Sequence, residues 1–187
     1  MRSITPEYYQ ALWDTMQFLP ERVDKIAWYA QKLLRYRERY EEVESECGVP
    51  WFVIGAIHAL EAGFDFDCYL GNGELLGAVT TQVPKGRGPF DTWEDGAKDA
   101  LELPPVREHT PAVWNIPGIA RYLEEYNGSG YYRYHNINSP YLWSFSNQYQ
   151  SGKYTSDGCY RASCVSVQCG AMVIIKQLLI DGAINHF

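Results

Sequence analysis

The stretch GVPWFVIGAIHALEAGF, from Gly48 to Phe64, decides the fold because it sets one carboxylate, Glu61, within an apolar helical pattern. The apolar residues recur at helical spacing, namely Val53, Ile57, Leu60 and Phe64. Glu61 is therefore predicted to share their inward face. Burial raises the pKa of a carboxyl group, and a raised pKa suits a general acid near neutral pH. The pattern also fits a core glutamate held by a hydrogen bond or a cation, or a helix-end residue turned to solvent.

Helix signals precede this stretch. Thr5 followed by Pro6 predicts a helix start, with the threonine as cap and the proline at the first helical position. Pro20 begins a second, longer helix that is predicted to reach about Glu44, because its apolar residues repeat every three or four positions. The segment Cys47-Gly48-Val49-Pro50 ends that helix, and its proline starts the glutamate helix.

The composition of the sequence changes after Phe64. Gly71-Asn72-Gly73 precedes a run of small and β-branched residues, which predicts a short β-hairpin or loop lobe between residues 68 and 90. Within this lobe, Lys85 to Pro89 is predicted to be a mobile basic loop. Asp91 and Glu94 predict a capping box that opens a helix to about Leu101.

Helical and aromatic segments alternate in the remaining chain. A helix is predicted from Ile116 to Tyr126, and an apolar C-terminal helix from Val165 to Ile184. Between them, Tyr131 to Tyr154 is rich in aromatic residues and has no helical period, which predicts a long ordered loop or a region of short turns. Tyr141 and Trp143 in this segment are interpreted as packing residues.

Composition limits the classes of function. The 187 residues are 46% hydrophobic and 21% charged, which is typical of a soluble globular protein with one domain. The formal charge of -7 argues against nucleic acid as a partner. The sequence predicts neither a membrane span nor a secretory signal, since no long apolar run and no basic segment before an apolar core is present.

Cysteine and histidine spacing argues against a metal site. The five cysteines cannot all pair within one chain, and the steps of five between Cys159, Cys164 and Cys169 do not match a zinc motif. His58 with Glu61, joined by His109 or His135, is an alternative metal set. The His-Glu-x-x-His pattern of zinc proteases is absent, so we predict no metal and no cofactor, with His58 as a hydrogen-bond partner beside the acid.

Two short motifs resemble those of lysozyme-like enzymes that cleave peptidoglycan. Glu61 with Ala62-Gly63-Phe64 resembles the Glu-Ser-x-Phe signature of soluble lytic transglycosylases and goose-type lysozymes, with Ala62 in place of the usual serine. The segment from Tyr126 to Gly130 resembles the Tyr-Asn-Ala-Gly-x-Gly segment that these enzymes place across the cleft from the acid. No clear Gly-Leu-Met-Gln motif lies between the two matches. Residues 45 to 135 carry the resemblance, which extends to phage endolysins.

The resemblance implies a set of site residues. Glu61 is the acid, and Glu74 with Thr80 six residues later resembles the second acid and the threonine of phage-type lysozymes, which orient the attacking water. Asp65 and Asp67 are further candidates for the second acid, and Glu74 also fits a solvated turn residue. A lytic transglycosylase needs Glu61 alone. The predicted substrate-binding residues are Gln82, Tyr126, Asn127, Tyr131 and Tyr132, because aromatic faces stack on sugars and amides bind acetamido groups.

The expected fold is α+β and mainly α, a lysozyme-like fold with a helical core and a small β-hairpin lobe beside the cleft. One domain spans residues 1–187, with N-terminal helices in 1–47, the catalytic core in 48–135, and the aromatic loop and C-terminal helix in 136–187. The expected function is that of a muramidase or lytic transglycosylase that cleaves the β-1,4 bond between N-acetylmuramic acid and N-acetylglucosamine, as a phage-type endolysin does.

This expectation includes partners and location. The partner is the glycan strand of peptidoglycan, without nucleic acid or membrane, and the protein is a monomer. It is made in the cytoplasm without a signal peptide and acts on the cell wall, in the host periplasm or wall if it is phage-encoded. Two other classes stay open: a metal-dependent wall amidase or peptidase, and a non-catalytic glycan-binding protein.

Overall fold

The computed structural model describes residues 4–156 and 158–185. These residues form two compact units: a middle unit, Gln31–Thr110, and a terminal unit, which joins the chain up to Ala30 with the chain from Pro111 onward. The helices are α1 Pro6–Asp14, α2 Val23–Arg35, α3 Arg37–Cys47, α4 Trp51–Glu61, α5 Trp93–Glu102, α6 Pro104–Arg107, α7 Ile116–Asn127, α8 Gly130–His135, α9 Pro140–Trp143 and α10 Ala171–Ile180, with a 3₁₀ turn at Pro20–Arg22. The strands are β1 Lys153–Ser156 and β2 Cys159–Arg161. The fold is mainly helical with a small antiparallel sheet, as predicted.

The middle unit is built around α4. Every residue of α4 before Glu61 is buried, and α3 packs against both α4 and α5. Gly55 makes one of these contacts close, because a Cβ atom there would lie 2.8 Å from Cγ of Leu33 and 3.0 Å from the ring of Tyr40. A glycine at this position therefore allows side chains of α2 and α3 to approach the backbone of α4.

The terminal unit packs α7 against α1 and α9, and α9 against α10. α10 is buried along most of its length, and Gly170 at its start lies against Leu142, whose carbonyl oxygen would be 2.4 Å from an added Cβ atom. Lys176 donates hydrogen bonds to the carbonyl oxygens of Trp13 and Met16, at 2.8 and 3.0 Å. Lys176 thus supplies hydrogen-bond donors at the C-terminal end of α1, where backbone carbonyl groups have no partner within the helix.

Several predicted helix ends are confirmed, and others are wrong. Thr5 caps α1 by accepting a hydrogen bond from the backbone N–H of Tyr8 at 3.3 Å. The long helix expected from Pro20 to Glu44 is interrupted at Tyr36, and its second half continues to Cys47. The predicted C-terminal helix from 165 to 184 is shorter, since it begins only at Ala171 and ends at Ile180.

The capping box of α5 lies one residue after the predicted position. Thr92, rather than Asp91, is the N-cap, and its hydroxyl oxygen accepts from the backbone N–H of Asp95 at 3.1 Å. The Thr92 hydroxyl also contacts the Asp95 carboxylate at 2.6 Å. Glu94 is thereby released from capping, and it instead binds Arg39 through two hydrogen bonds of 2.6 and 3.0 Å.

The segment from Tyr131 to Tyr154, expected to have no helix, contains most of α8, all of α9 and the start of β1, and β2 follows it. Residues 68 to 90 contain turns and one isolated bridge between Cys68 and Leu75, so the hairpin alternative for this lobe is wrong and the loop alternative is confirmed. The sheet pairs Lys153 with Arg161 and Tyr154 with Tyr160, in the tyrosine-rich segment. Aromatic residues favour strands, but the short pairing gives too little alternation to be recognised in the sequence.

Two further observations concern cysteines and membrane spans. All five cysteines are free thiols, with Cys169 buried and Cys159 exposed. Among residues 4–156 and 158–185, no helix combines the length and apolar character needed to cross a membrane.

Candidate functional site in the middle unit

Glu61 is the last residue of α4 and is half-buried, whereas all other residues of this helix are buried. The expected placement of Glu61 on one inward face is therefore wrong in detail. α4 is apolar around its whole circumference, so spacing does not select a face. The chain leaves the helix through Gly63 and Phe64, both at positive φ. The N–H of Phe64 donates a hydrogen bond to the carbonyl oxygen of His58 at 3.4 Å. The carboxylate thus stands at the end of a rigid element.

The Asn72-Gly73 turn packs against this helix end. A Cβ atom on Gly73 would lie 2.9 Å from the carbonyl oxygen of Glu61, and φ of Gly73 is +75°. Only glycine combines this conformation with so close an approach. The turn brings Glu74 into the same part of the middle unit as Glu61.

Glu74 organises the loop that follows it. Its carboxylate accepts hydrogen bonds from the Thr81 backbone at 3.0 Å, the Thr81 hydroxyl at 2.7 Å, the Gln82 backbone at 2.9 Å and the Asn72 side chain at 2.9 Å. These donors, led by the Thr81 hydroxyl, lower the pKa of Glu74 below its usual value. A carboxylate with this many donors is an anchor for the loop, and its catalytic role stays a prediction.

Thr80 and Gln82 contribute to the same loop. Thr80 is buried, and its hydroxyl donates to the carbonyl oxygen of Pro84 at 2.6 Å and accepts from the N–H of Arg87 at 3.0 Å. Gln82 is exposed, and its carbonyl oxygen accepts from the side chain of Asn72 at 3.3 Å. The Thr80 hydroxyl is therefore engaged within the loop, whereas the Gln82 side chain faces solvent.

The basic segment from Lys85 to Pro89 is anchored, contrary to the expected mobile loop. Arg87 donates to the carboxylate of Asp99 through Nε at 2.9 Å and through a second guanidinium nitrogen. The hydroxyl of Tyr69 donates to the same carboxylate at 2.8 Å. Despite the opposing effect of burial, these donors lower the pKa of Asp99. No local pattern predicts this pairing, since Arg87 lies in a loop and Asp99 in α5.

We expect Glu74→Gln to loosen the loop from Asn72 to Gln82. The amide group presents an N–H₂ in place of one carboxylate oxygen, so donors that now bind the carboxylate lose an acceptor. Hydrogen exchange of the Thr81 and Gln82 amides should be faster in the variant. Because the pKa of Glu74 is lowered, the wild-type protection should also fall as the pH drops below the ordinary carboxyl range.

The matched control is Glu108→Gln, an exposed glutamate of the same unit outside this loop. It should leave both amides protected as in the wild type. Equal exchange rates in wild type and Glu74→Gln would contradict the anchoring role.

His58 lies in a buried aromatic environment rather than in a metal site. Its Nδ1 contacts the hydroxyl of Tyr40 at 3.0 Å, and its Nε2 contacts the carbonyl oxygen of Asp65 at 3.0 Å. A carbonyl only accepts, so Nε2 carries the proton and Nδ1 accepts from Tyr40. Burial lowers the pKa of His58 to about 4. The predicted hydrogen-bond role is confirmed, but its partners are Tyr40 and the loop after α4.

We expect Tyr40→Phe to destabilise the protein by about 1–3 kcal/mol, because it leaves Nδ1 of His58 buried without a donor. Both residues are fully buried. Urea unfolding at neutral pH measures the change, and Tyr134→Phe at a position 77% exposed is the control. An unchanged free energy of unfolding in Tyr40→Phe would contradict the assigned hydrogen bond.

Of the other two histidines in the alternative metal set, His109 belongs to the middle unit and His135 to the terminal unit. His135 contacts the hydroxyl of Tyr154 at 2.8 Å through Nε2 and stacks on Tyr160 at 3.5 Å, within the terminal unit. In the part of the chain that the structure describes, no group of three or more His, Cys, Asp or Glu residues is arranged to hold a metal ion.

A groove of about 870 Å³ runs along the middle unit. Its walls include Phe66 and Phe90, which are half-buried, and the ion pair of Arg39 with Glu94. The guanidinium of Arg39 lies 3.8 Å from the centre of the Phe66 ring. The described lining of the groove does not include Glu61. The groove offers aromatic and polar surface in the same unit as Glu61, the predicted acid.

The other predicted residues belong to the terminal unit. Tyr126 and Asn127 end α7, and Asn127 is exposed beside Gly128. Tyr131 is buried, and its hydroxyl accepts from the N–H of Tyr154 at 3.2 Å. Tyr132 is half-buried. Glu61, Glu74, Thr80 and Gln82 thus share the middle unit, whereas Tyr126, Asn127, Tyr131 and Tyr132 share the terminal unit, and the cleft between the two motifs stays a prediction.

Among the described residues, a buried carboxyl group that the sequence analysis missed is that of Glu124 on α7. It is 3% exposed, and its Oε1 has no hydrogen-bond partner among the described residues. Burial, with a smaller contribution from Glu125, raises the pKa of Glu124 to about 8. Glu124 comes eight residues after Ile116, which places it on the apolar stripe of α7. This spacing could have predicted its burial from the sequence.

Comparison with protein-family models, curated proteins and solved structures finds no match to this chain.

Proposed function

We propose that this protein is a peptidoglycan-degrading glycosidase of the lysozyme-like class, and that Glu61 is its general acid. The observation that carries the proposal is the position of Glu61, a half-exposed carboxyl at the end of an otherwise buried helix. A proton donor must be held firmly and must reach the substrate, and this placement meets both requirements. The resemblance of the segments around Glu61 and Asn127 to lysozyme-like motifs supports the same class.

The contacts of Glu74 and Thr80 favour a reaction that needs only one carboxyl group. A hydrolase requires a second group with a free acceptor to orient water. The Glu74 carboxylate already accepts from three residues, and the Thr80 hydroxyl both donates and accepts within its loop. Of the other two candidates for a second acid, Asp65 accepts from the N–H of Asp67 at 2.9 Å, and Asp67 lines the groove, whose described lining does not include Glu61. We therefore propose a lytic transglycosylase reaction in preference to hydrolysis.

In this reaction, Glu61 first donates its proton to the oxygen of the β-1,4 bond as that oxygen leaves C1 of N-acetylmuramic acid. The resulting carboxylate then removes the proton from the C6 hydroxyl of the same sugar. O6 bonds to C1 and closes an anhydro ring, so Glu61 is protonated again and no water is consumed. No cofactor takes part in either step.

The groove of the middle unit supports glycan binding. Phe66 and Phe90 supply half-buried aromatic surface, while Asp67 and Asp91 are exposed hydrogen-bond acceptors at its walls. Sugar rings combine apolar faces with hydroxyl groups, so this mixture of surfaces suits them. We propose glycan strands as the partner, without nucleic acid or membrane, and a monomer that acts on the cell wall as a phage-type endolysin does.

The test is the chemistry of the new chain ends. Purified peptidoglycan is digested in water enriched in ¹⁸O, and the soluble fragments are identified by mass spectrometry. The proposal predicts anhydro ends without incorporated label. Labelled reducing ends would show that the protein is a muramidase and not a lytic transglycosylase. Fragments released only by cleavage of stem peptides would overturn the glycosidase assignment.

A further inference from the structure

The groove of the middle unit contains three backbone segments that lie side by side. The N–H of Leu76 donates to the carbonyl oxygen of Asp67 at 2.9 Å, and the N–H of Phe90 donates to that of Leu76 at 2.9 Å. Backbone segments joined by such hydrogen bonds lie about 5 Å apart. Asp67 and Asp91, which follows Phe90, therefore line the groove on the two sides of Leu76.

These two carboxylates have no counter-charge. Asp67 and Asp91 are exposed, and no hydrogen bond or ion pair among the described residues involves either carboxylate. Arg39, the basic residue of the described lining, is bound to Glu94. The formal charge of -7 also resides in the middle unit, because acidic and basic residues are equal in number in the rest of the chain. The groove thus favours a cationic ligand.

The indole N–H of Trp93 is an independent indication of a ligand. Trp93 lines the same groove and is 2% exposed, and its Nε1 has no hydrogen-bond partner among the described residues. Buried donors usually have a partner, so this N–H marks a place for an acceptor oxygen. Leu75, which is 65% exposed, adds aliphatic surface to the wall. The groove therefore suits a ligand with a cation, a carbonyl oxygen and an alkyl chain.

We propose that this groove binds a primary ammonium group of peptidoglycan through Asp67 and Asp91. Two parts of the polymer can carry this group: the diamino acid of a stem peptide that is not cross-linked, and a glucosamine without its acetyl group. The aliphatic wall favours the stem peptide, because its methylene chain contacts Leu75 while an amide carbonyl accepts from Trp93. This choice of substrate rests on the proposed function. The groove then selects strands with free amines, in the same unit as Glu61.

The test uses Nα-acetyl-L-lysine methylamide and methyl β-D-glucosaminide as probes, each beside its counterpart with an acetylated amine. Titration of the ¹⁵N-labelled full chain follows the backbone amide of Ala78 and the indole N–H of Trp93, both in the groove lining. Free amines should give saturable shifts, and the acetylated counterparts much weaker ones. Tighter binding of the lysine derivative assigns the stem peptide as the source, and tighter binding of the glucosaminide assigns the deacetylated sugar.

Substitution of both aspartates separates the groove from the general acidity of the unit. Asp67→Asn combined with Asp91→Asn should weaken binding roughly fivefold or more, because two ion pairs are lost. The matched control combines Glu42→Gln with Glu108→Gln, two exposed glutamates of the same unit outside the groove lining, and should bind like the wild type. The proposal is overturned if neither free amine gives a saturable shift up to about 20 mM, if free and acetylated amines bind equally, or if both double variants bind alike.

The titration measures binding without cleavage, so its outcome is independent of the proposed function. Fragment release is measured in parallel from purified peptidoglycan before and after acetylation of its free amines. Slower release from the acetylated polymer is expected, and equal release from both polymers would overturn the selection of free amines. An absence of glycan fragments from both polymers would instead contradict the proposed function, while the titration still decides whether the groove binds an ammonium group.

Discussion

Glu61→Gln is expected to lower the rate of peptidoglycan cleavage by about 100-fold or more, because general acid catalysis contributes roughly 10²–10⁴-fold to such reactions. Glutamine keeps the size of the side chain and removes the transferable proton. The rate is measured from the loss of turbidity of a peptidoglycan suspension at neutral pH.

Stability should be preserved in this variant. Glu61 is half-exposed at the end of α4 and glutamine has the same size, so the variant should keep its fold, which urea unfolding checks beside the rate measurement. Glu102→Gln is the matched control, since Glu102 is the exposed last residue of α5 in the same unit. Equal cleavage rates in Glu61→Gln and Glu102→Gln would refute the assignment of Glu61.

Glu124→Gln is expected to stabilise the protein at alkaline pH. Burial raises the pKa of Glu124 to about 8, against an ordinary value near 4.5. Between these two values the folded protein holds a proton that the unfolded chain releases, so wild-type stability falls as the pH rises. One pKa unit corresponds to about 1.4 kcal/mol, and the total loss by pH 8 is therefore about 5 kcal/mol.

The glutamine variant lacks this titration. Urea unfolding between pH 5 and 9 should show that the difference between Glu124→Gln and wild type grows with pH, as the linkage relation requires. Glu21→Gln changes an exposed glutamate of the same unit and should follow the wild-type curve. A difference that is constant over this range would show that Glu124 does not titrate as a buried acid.

Local signals in the sequence predicted several elements. Thr5 with Pro6 and the apolar period after Asn115 are short-range features, and α1 and α7 begin where these residues require. The N-cap of α5 was predicted one residue too early, because Asp91 and Thr92 are adjacent and both are good N-cap residues. In the structure Glu94 binds Arg39 of α3 instead of capping α5, and such a long-range contact leaves no trace in the local sequence.

The candidate site was only partly predictable. The spacing argument that placed Glu61 on a buried face fails, because α4 is buried on all sides and Glu61 is at its end. The same argument applied to α7 finds Glu124, where a polar and an apolar face do exist. The contacts of Glu74 with Thr81 and Gln82 depend on the path of an irregular loop, which no periodicity encodes.

The most direct test of the central claim compares the soluble fragments released from purified peptidoglycan by wild type, Glu61→Gln and Glu102→Gln, identified by mass spectrometry. The proposal predicts glycan fragments that end at N-acetylmuramic acid for wild type and Glu102→Gln, and only traces for Glu61→Gln. Equal glycan release by all three proteins, or an absence of glycan fragments from the wild type, would contradict it.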